Sequence, residues 1–116
     1  MKLPRVIDAL AALAHKHRLA IFRSLVERGP AGLPAGQIAE RVGLVPSSLT
    51  FHLQNLQRAG LIAQRRESRQ LIYSADFTAM TALVGYLTDN CCAESSDACC
   101  PPSGQPKAAK RAAKAA

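Results

Sequence analysis

The chain has no tryptophan and only two tyrosines and three phenylalanines in 116 residues, so its core must come from Leu, Ile, Val and Ala. Cysteine is absent from the first 90 residues, which excludes a disulfide scaffold or a cysteine nucleophile in the body of the chain. There is no C-x-x-C pair and no phosphate-cradling glycine loop, so neither a thiol oxidoreductase nor a nucleotide-dependent enzyme is expected. No apolar run approaches the ~18 residues of a membrane span. The opening "MKLPRVIDALAALAHKHR" has a lysine, an apolar stretch and a small-residue end, as a signal peptide has. However, Asp8 interrupts that stretch and Pro4 stands where it should begin. A cytoplasmic protein with no membrane partner and no enzymatic activity is expected. No internal repeat is visible.

What is present amounts to one domain, 48% apolar, with a net charge of +7. The last ten residues, "KAAKRAAKAA", supply four of those charges (Lys107, Lys110, Arg111, Lys114), leaving +3 for residues 1–106. Ten residues are too few for a stable isolated helix, so 107–116 is expected to be a disordered basic tail that is solvated or adds sequence-independent DNA affinity.

Residues 4–14 read as a helix with Pro4 in its first turn and Leu3, Ile7, Leu10 and Ala14 on one face. Residues 15–28 read as a second helix carrying Leu19, Phe22 and Val26 on one face, stopped by Gly29 and Pro30. "GPAGLPAG" (29–36) is a loop by composition. A short helix follows over 37–42, and Pro46 opens another that runs to Gly60 with Leu49, Leu53 and Leu56 in one stripe. Two helices joined by a short glycine-containing turn form a helix-turn-helix. Residues 61–75 read as two strands around a polar turn at "ESR". Asp76 then caps a last helix with Phe77, Met80, Val84 and Leu87 in a stripe. The predicted fold class is mainly α with a small β-hairpin, a winged helix-turn-helix. The amphipathic first and last helices predict a homodimer.

Opposite the Leu49 stripe, Ser47, Phe51, Gln54 and Arg58 form an acid-free face, flanked by Ser48, Thr50 and Asn55. Hydroxyls and amides there can bond base edges or phosphates, and Phe51 can meet thymine methyls, unless it folds back on a neighbour. Arg65, Arg66 and Arg69 cluster at the hairpin tip beside one acid, Glu67, as a wing that contacts phosphates or the minor groove. The partner so implied is double-stranded operator DNA. His15, His17 and His52 have no metal-ligand spacing in sequence, so they read as surface or half-buried structural residues. His52 could also touch DNA from the groove edge.

"LAHKHRLAIFRSLVERG" (13–29), "QIAERVGLVPSSLTFHLQNLQRAGLI" (37–62) and "RRESRQLIYSA" (65–75) together resemble the ArsR/SmtB family of metal-responsive repressors. The resemblance runs over roughly residues 6–90 in the right order, and "HLQNLQRAGLI" is its most specific element. It implies a winged-helix homodimer that binds its operator when metal-free and leaves it when metal binds. It also implies that the first and last helices pair across the dimer axis. Family members place their ligands differently. The helix "QIAERV" has no cysteine, and "FTAMTALVGYLTDN" has no histidine for a zinc site of the last-helix type. An adjacent cysteine pair at the end of the last helix, with further cysteine a few residues on, is similar to an arsenic-responsive branch. This chain departs from that branch in that its distal thiols are themselves a pair.

Cys91, Cys92, Cys99 and Cys100 all fall within "TDNCCAESSDACCPP". Thiolates select soft ions. Arsenous acid and three thiols give a neutral trithiolate and three waters, so trivalent arsenic needs three cysteines and no compensating charge. Tetrahedral zinc would need all four, usually at C-x₂₋₄-C spacing. Adjacent helical residues point ~100° apart, so Cys91 and Cys92 converge most easily where the helix has ended. The third sulfur must return across the turn-prone "AESSDA". Cys99 is favoured over Cys100, whose backbone is restricted by Pro101. The effector expected is arsenite, with antimonite or a methylated arsenical as variants. The alternatives are cadmium, lead or zinc, and redox sensing. A helix C-terminus and the acids Asp89, Glu94 and Asp97 oppose thiolate formation, which weighs against redox sensing. The expected organisation is a winged-helix DNA-binding and dimerisation domain over 1–90, a metalloid-binding segment over 91–106 and the tail.

Overall fold

A computed structural model describes residues 1–95. Cys99, Cys100 and the basic tail lie outside the described residues. The elements follow the order α1 (Leu3–Leu13), α2 (Lys16–Arg28), β1 (Leu33–Pro34), α3 (Ala35–Val42), α4 (Pro46–Arg58), β2 (Ile62–Glu67), β3 (Gln70–Ala75) and α5 (Phe77–Thr88). The chain divides into two compact units, Met1–Met80 and a second that starts at Thr81. Among the described residues no helix is long and apolar enough to cross a membrane.

Proline opens α1 and α4, where its missing N–H costs no hydrogen bond. Gly43 ends α3 in the left-handed region, its N–H bonded to the Ala39 carbonyl. It gives way to the three-residue turn that leads into α4. Asp76 accepts from the Ala79 N–H at 3.0 Å and so caps α5, as its position suggested. The core of the first unit is aliphatic, with Val6, Ile21, Leu25, Leu33, Ile38, Leu49, Leu53, Leu56 and Leu61 all nearly inaccessible. At about 1.5–3 kcal/mol for each large aliphatic side chain, this burial replaces the missing aromatic anchors.

The apolar stripes expected on α1, α2 and α5 divide between core and surface. On α1 the buried residues are Val6, Ala9 and Ala12, while the bulkier Leu3, Ile7 and Leu10 are exposed. The helix turns its small-residue edge to its own core, so the larger apolar stripe is left outside. On α2 the core side chains are Ile21, Phe22 and Leu25, whereas Leu19 is exposed and Val26 half-buried. On α5 only Leu83 is buried, and Val84 and Leu87 of the expected stripe are exposed.

The stretch expected to be wholly loop contains β1, which pairs antiparallel with β3 (Leu33 opposite Tyr73, Pro34 opposite Ile72). Two residues are too short for alternation to reveal. The sheet order is β1-β3-β2, and Glu67 opposite Gln70 closes the hairpin through Ser68 and Arg69. Gly32 permits this crossing: its φ is +72°, and a Cβ there would stand 2.5 Å from the Tyr73 carbonyl oxygen. Gly43 has nearly the same φ, +71°, but open space around it. Gly43→Ala is therefore expected to lose only backbone strain, about 1–3 kcal/mol. Gly32→Ala is expected to lose more because the clash adds to that strain. Urea unfolding of the two variants checks this, and equal losses would show that the close approach to β3 carries no constraint.

Candidate functional site

α3, the Gly43–Val45 turn and α4 form the helix-turn-helix. Leu49, Leu53 and Leu56 are buried on the inner side of α4. That fixes the helix about its axis and turns Ser47, Ser48, Thr50, Phe51, Gln54 and Arg58 outward, all exposed. Phe51 is 60% exposed and also meets the His52 ring edge-on, with centroids 5.6 Å apart. Thr50 donates its hydroxyl to the Pro46 carbonyl at 3.0 Å and keeps only acceptor capacity for a base or phosphate. Asn55 is half-buried and donates to the Phe51 carbonyl.

His52 does not belong to this face. It is only 7% exposed, on the inner side of α4, so contact with DNA from the groove edge is excluded for the helix as packed. Instead three imidazoles converge: the His52 ring centroid lies 4.7 Å from that of His15 and 5.8 Å from that of His17, which are themselves 5.7 Å apart. The Arg18 guanidinium donates to the Ala12 carbonyl at 2.6 Å and stands 3.4 Å from His52 Nδ1. Burial, and then the charges of His15, Arg18 and His17, hold the His52 imidazole below its ordinary titration range. This cluster was invisible in sequence because 34 residues separate Arg18 from His52.

The wing is built by β2 and β3. Its three arginines are exposed but not equivalent. Arg65 pairs with Glu67 at 2.7 Å and donates to the carbonyls of Ala31 at 2.7 Å and Pro30 at 3.3 Å. It is the tether between the wing and the loop before β1, and so is partly withdrawn from phosphate contact. Arg28 holds the same loop from α2, donating to the Gly32 carbonyl at 3.0 Å. Arg66 and Arg69 remain exposed, and Arg65–Glu67 is the one ion pair among the described residues.

The described thiols sit beyond the end of α5. Residues 89–94 form successive turns in which Asn90 and Cys92 both adopt positive φ, 59° each. With the helix ended, the two side chains converge as required: Cys91 Sγ and Cys92 Sγ are 3.6 Å apart. Two thiolates at ~2.3 Å from one tetrahedral ion stand roughly 3.8 Å apart, close to this spacing, so the reduced pair could share a soft ion. Cys91 is exposed, and Cys92 is half-buried and disulfide-bonded. Among the described residues no group of three or more His, Cys, Asp or Glu is arranged to hold a metal. The expected third sulfur, from Cys99 or Cys100, lies outside those residues.

Arg65→Ala is expected to speed hydrogen exchange at the Gly32 amide, which closes the loop onto the Gly29 carbonyl. Global stability should change by no more than about 1 kcal/mol, because the pair is solvent-exposed. Arg66→Ala should leave that amide unchanged, and equal exchange in both variants would remove the tether.

A helix-turn-helix domain family matches residues 13–65. The chain is 36% identical over 80 residues to the nodulation protein NolR of Rhizobium meliloti, covering 69% of this chain and 63% of that protein, just under two thirds of its length. It is 30% identical over 83 residues to the transcriptional activator HlyU of Vibrio cholerae, covering 72% of this chain and 74% of that protein. Among solved structures, it is similar to the homodimeric winged helix-turn-helix domain of Mb0332 from Mycobacterium bovis, a possible ArsR-family regulator. That match has a TM-score of 0.60 and 26% identity, and covers 82% of this chain and 88% of the other. With its helix-turn-helix, its basic hairpin and these relatives, the chain belongs to the ArsR family of winged helix-turn-helix transcriptional regulators.

Proposed function

We propose that the chain is an arsenic-responsive transcriptional repressor. As a homodimer with its thiols unliganded it holds operator DNA. It is released when trivalent arsenic or antimony binds Cys91, Cys92 and a third sulfur, Cys99 or less favourably Cys100. The observation that carries this reading is the pair of sulfurs 3.6 Å apart at the unwound end of α5, which become two ligands once Cys92 is reduced. Such a pair needs one more thiol for a pyramidal trithiolate, and the sequence supplies two more, Cys99 and Cys100. A methylated arsenical needs only the pair. Asp89 and Glu94 would also favour a divalent soft ion such as cadmium or lead over a neutral species, so those cations are the nearest competitors.

DNA binding is supported by the outward hydroxyl and amide face of α4 and by Arg66 and Arg69 on the wing. Dimerisation is supported by the uncovered apolar side chains Leu3, Ile7 and Leu10 on α1 and Val84 and Leu87 on α5. A two-fold partner would bury such faces and set two recognition helices about one DNA turn, or a small multiple, apart. The homodimeric state of the Mycobacterium bovis domain accords with this. An ion bound where α5 ends would then act on the dimer interface and alter the spacing of the recognition helices.

One observation favours a second reading, redox sensing by the same thiols: Cys92 is disulfide-bonded. A cysteine so oxidised cannot ligate arsenic, so the two readings separate by effector. Arsenite should release the reduced protein from its operator, and peroxide should release it only if oxidation is the signal.

Cys91→Ser and Cys92→Ser are expected to leave operator binding intact and abolish release by arsenite, as read by fluorescence anisotropy. Cys99→Ser should blunt release, Cys100→Ser should change it little, and the double variant should lose it for inorganic arsenite. Full release in the double variant would show that two thiols suffice and that the three-sulfur site is wrong. On the DNA side, Arg66→Ala and Arg69→Ala should each flatten the log–log salt dependence by about 0.9 and weaken all sequences alike. Gln54→Ala should instead erode operator preference by about 1–3 kcal/mol. A wild-type salt slope in the wing variants would remove the wing from the DNA interface.

A further inference from the structure

The imidazole cluster beneath the recognition helix has no part in the thiol chemistry, and its hydrogen bonds dictate its protonation state. His15 is the N-cap of α2: its Nδ1 accepts from the His17 backbone N–H at 3.1 Å. An acceptor nitrogen carries no proton, so this cap requires a bare Nδ1 on His15. His52 is bound by the same logic. Arginine can only donate, so the 3.4 Å approach of the Arg18 guanidinium to His52 Nδ1 requires a bare Nδ1 and a neutral ring. Both lone pairs that could take a proton or an ion are thus already in use. Among the described residues no three donors gather on a metal.

We propose that His15, His52 and Arg18 form a proton-operated latch that seats the recognition helix: protonation at either Nδ1 breaks the contact which that nitrogen accepts. A proton on His15 removes the α2 N-cap. A proton on His52 sets an N–H against the Arg18 guanidinium, with His15 and His17 less than 6 Å away by ring centroid. Both events loosen the junction of α1 and α2 from the inner side of α4. Acidification should therefore lower operator affinity. This is opposite to the ordinary effect of charging histidines near DNA, which strengthens sequence-independent binding.

The charges around His52 offer no compensation. From the α2 side they are His15, His17 and Arg18, all cationic or able to become so, and these three are the charged groups that act on it. On α1, Asp8 lines a cleft that also holds Arg18 and, from α4 itself, Arg58. α3 contributes Glu40 and Arg41, the latter reaching Ser24, and β2 contributes Arg66 and the self-paired Arg65–Glu67. None of these acts on His52. Because the folded chain takes up the His52 proton less readily than the unfolded chain, stability is whole above pH ~6.5. It is lost as pH falls from there through the lower folded-state value.

The latch rests on α4 being the DNA-reading helix, so the test includes a readout without DNA. His15→Asn keeps a capping oxygen and His52→Gln keeps an acceptor for Arg18, and neither titrates. Wild-type operator affinity should fall between pH 7.5 and 5.5, by up to about tenfold in total, since pH 5.5 lies about one unit below the ordinary histidine value. Affinity for non-specific DNA should not fall. The double variant should match wild type at pH 7.5 and keep its affinity at 5.5, and its melting temperature should drop less on acidification. Independently of any variant, nitrogen chemical shifts of the wild-type rings at pH 7.5 should show bare Nδ1 and protonated Nε2 in His15 and His52. Parallel melting-temperature profiles of wild type and double variant, or a proton on either Nδ1 at pH 7.5, would overturn the proposal. Loss of melting-temperature dependence without loss of operator-affinity dependence would leave the latch standing and refute α4 as the DNA-reading helix.

Discussion

The architecture depends on one constraint: α4 must bury one side completely and leave the other bare. Leu49, Leu53 and Leu56 meet the first requirement through aliphatic burial against a core without tryptophan. Because that burial fixes the rotation of the helix, it also decides which polar residues can reach a groove. Truncating one of these leucines to alanine would cost about 2–5 kcal/mol and, with the cavity left behind, would free the helix to turn. Which polar residues the outer face presents is thus a by-product of packing on the inner one. The clearest departure from the expected interface, His52, lies on the packed side.

The long periodic elements were legible before any coordinates. The stripe of α4, the strands around Ser68 and Arg69 and the Asp76 cap all rest on local chemistry, which a sequence displays. What could not be read depends on partners far along the chain. β1 is two residues long and exists because β3 lies alongside and Gly32 lets the backbones approach. Arg65 looks like its neighbours Arg66 and Arg69 until the carbonyls of Pro30 and Ala31 come within reach. The α1 stripe of Leu3, Ile7 and Leu10 has the helical period yet faces away from the core of its own unit. Periodicity shows that a helix has an apolar face, not whether its own core or another surface covers it.

The candidate effector site illustrates the same division. Four cysteines within ten residues announce soft-ion chemistry on their own. The geometry adds that α5 ends at Thr88, before the first of them, so that adjacent side chains can point together. The thiols and the histidine cluster are chemically separate, the one proposed to read soft ions and the other protons. In the account developed above, both bear on how firmly two recognition helices are presented to DNA. The family resemblance supplies the DNA-binding frame but no effector, which has to be argued from the residues of this chain.

Coupling between the thiols and DNA is read from arsenite affinity measured on the free reduced protein and on its operator complex. If metalloid binding and DNA binding are coupled through one equilibrium, the complex must bind arsenite more weakly. The factor must equal that by which arsenite weakens operator binding, about 1.4 kcal/mol for each tenfold. The two factors should match. Equal arsenite affinity with and without operator DNA would mean that metalloid binding does not drive release.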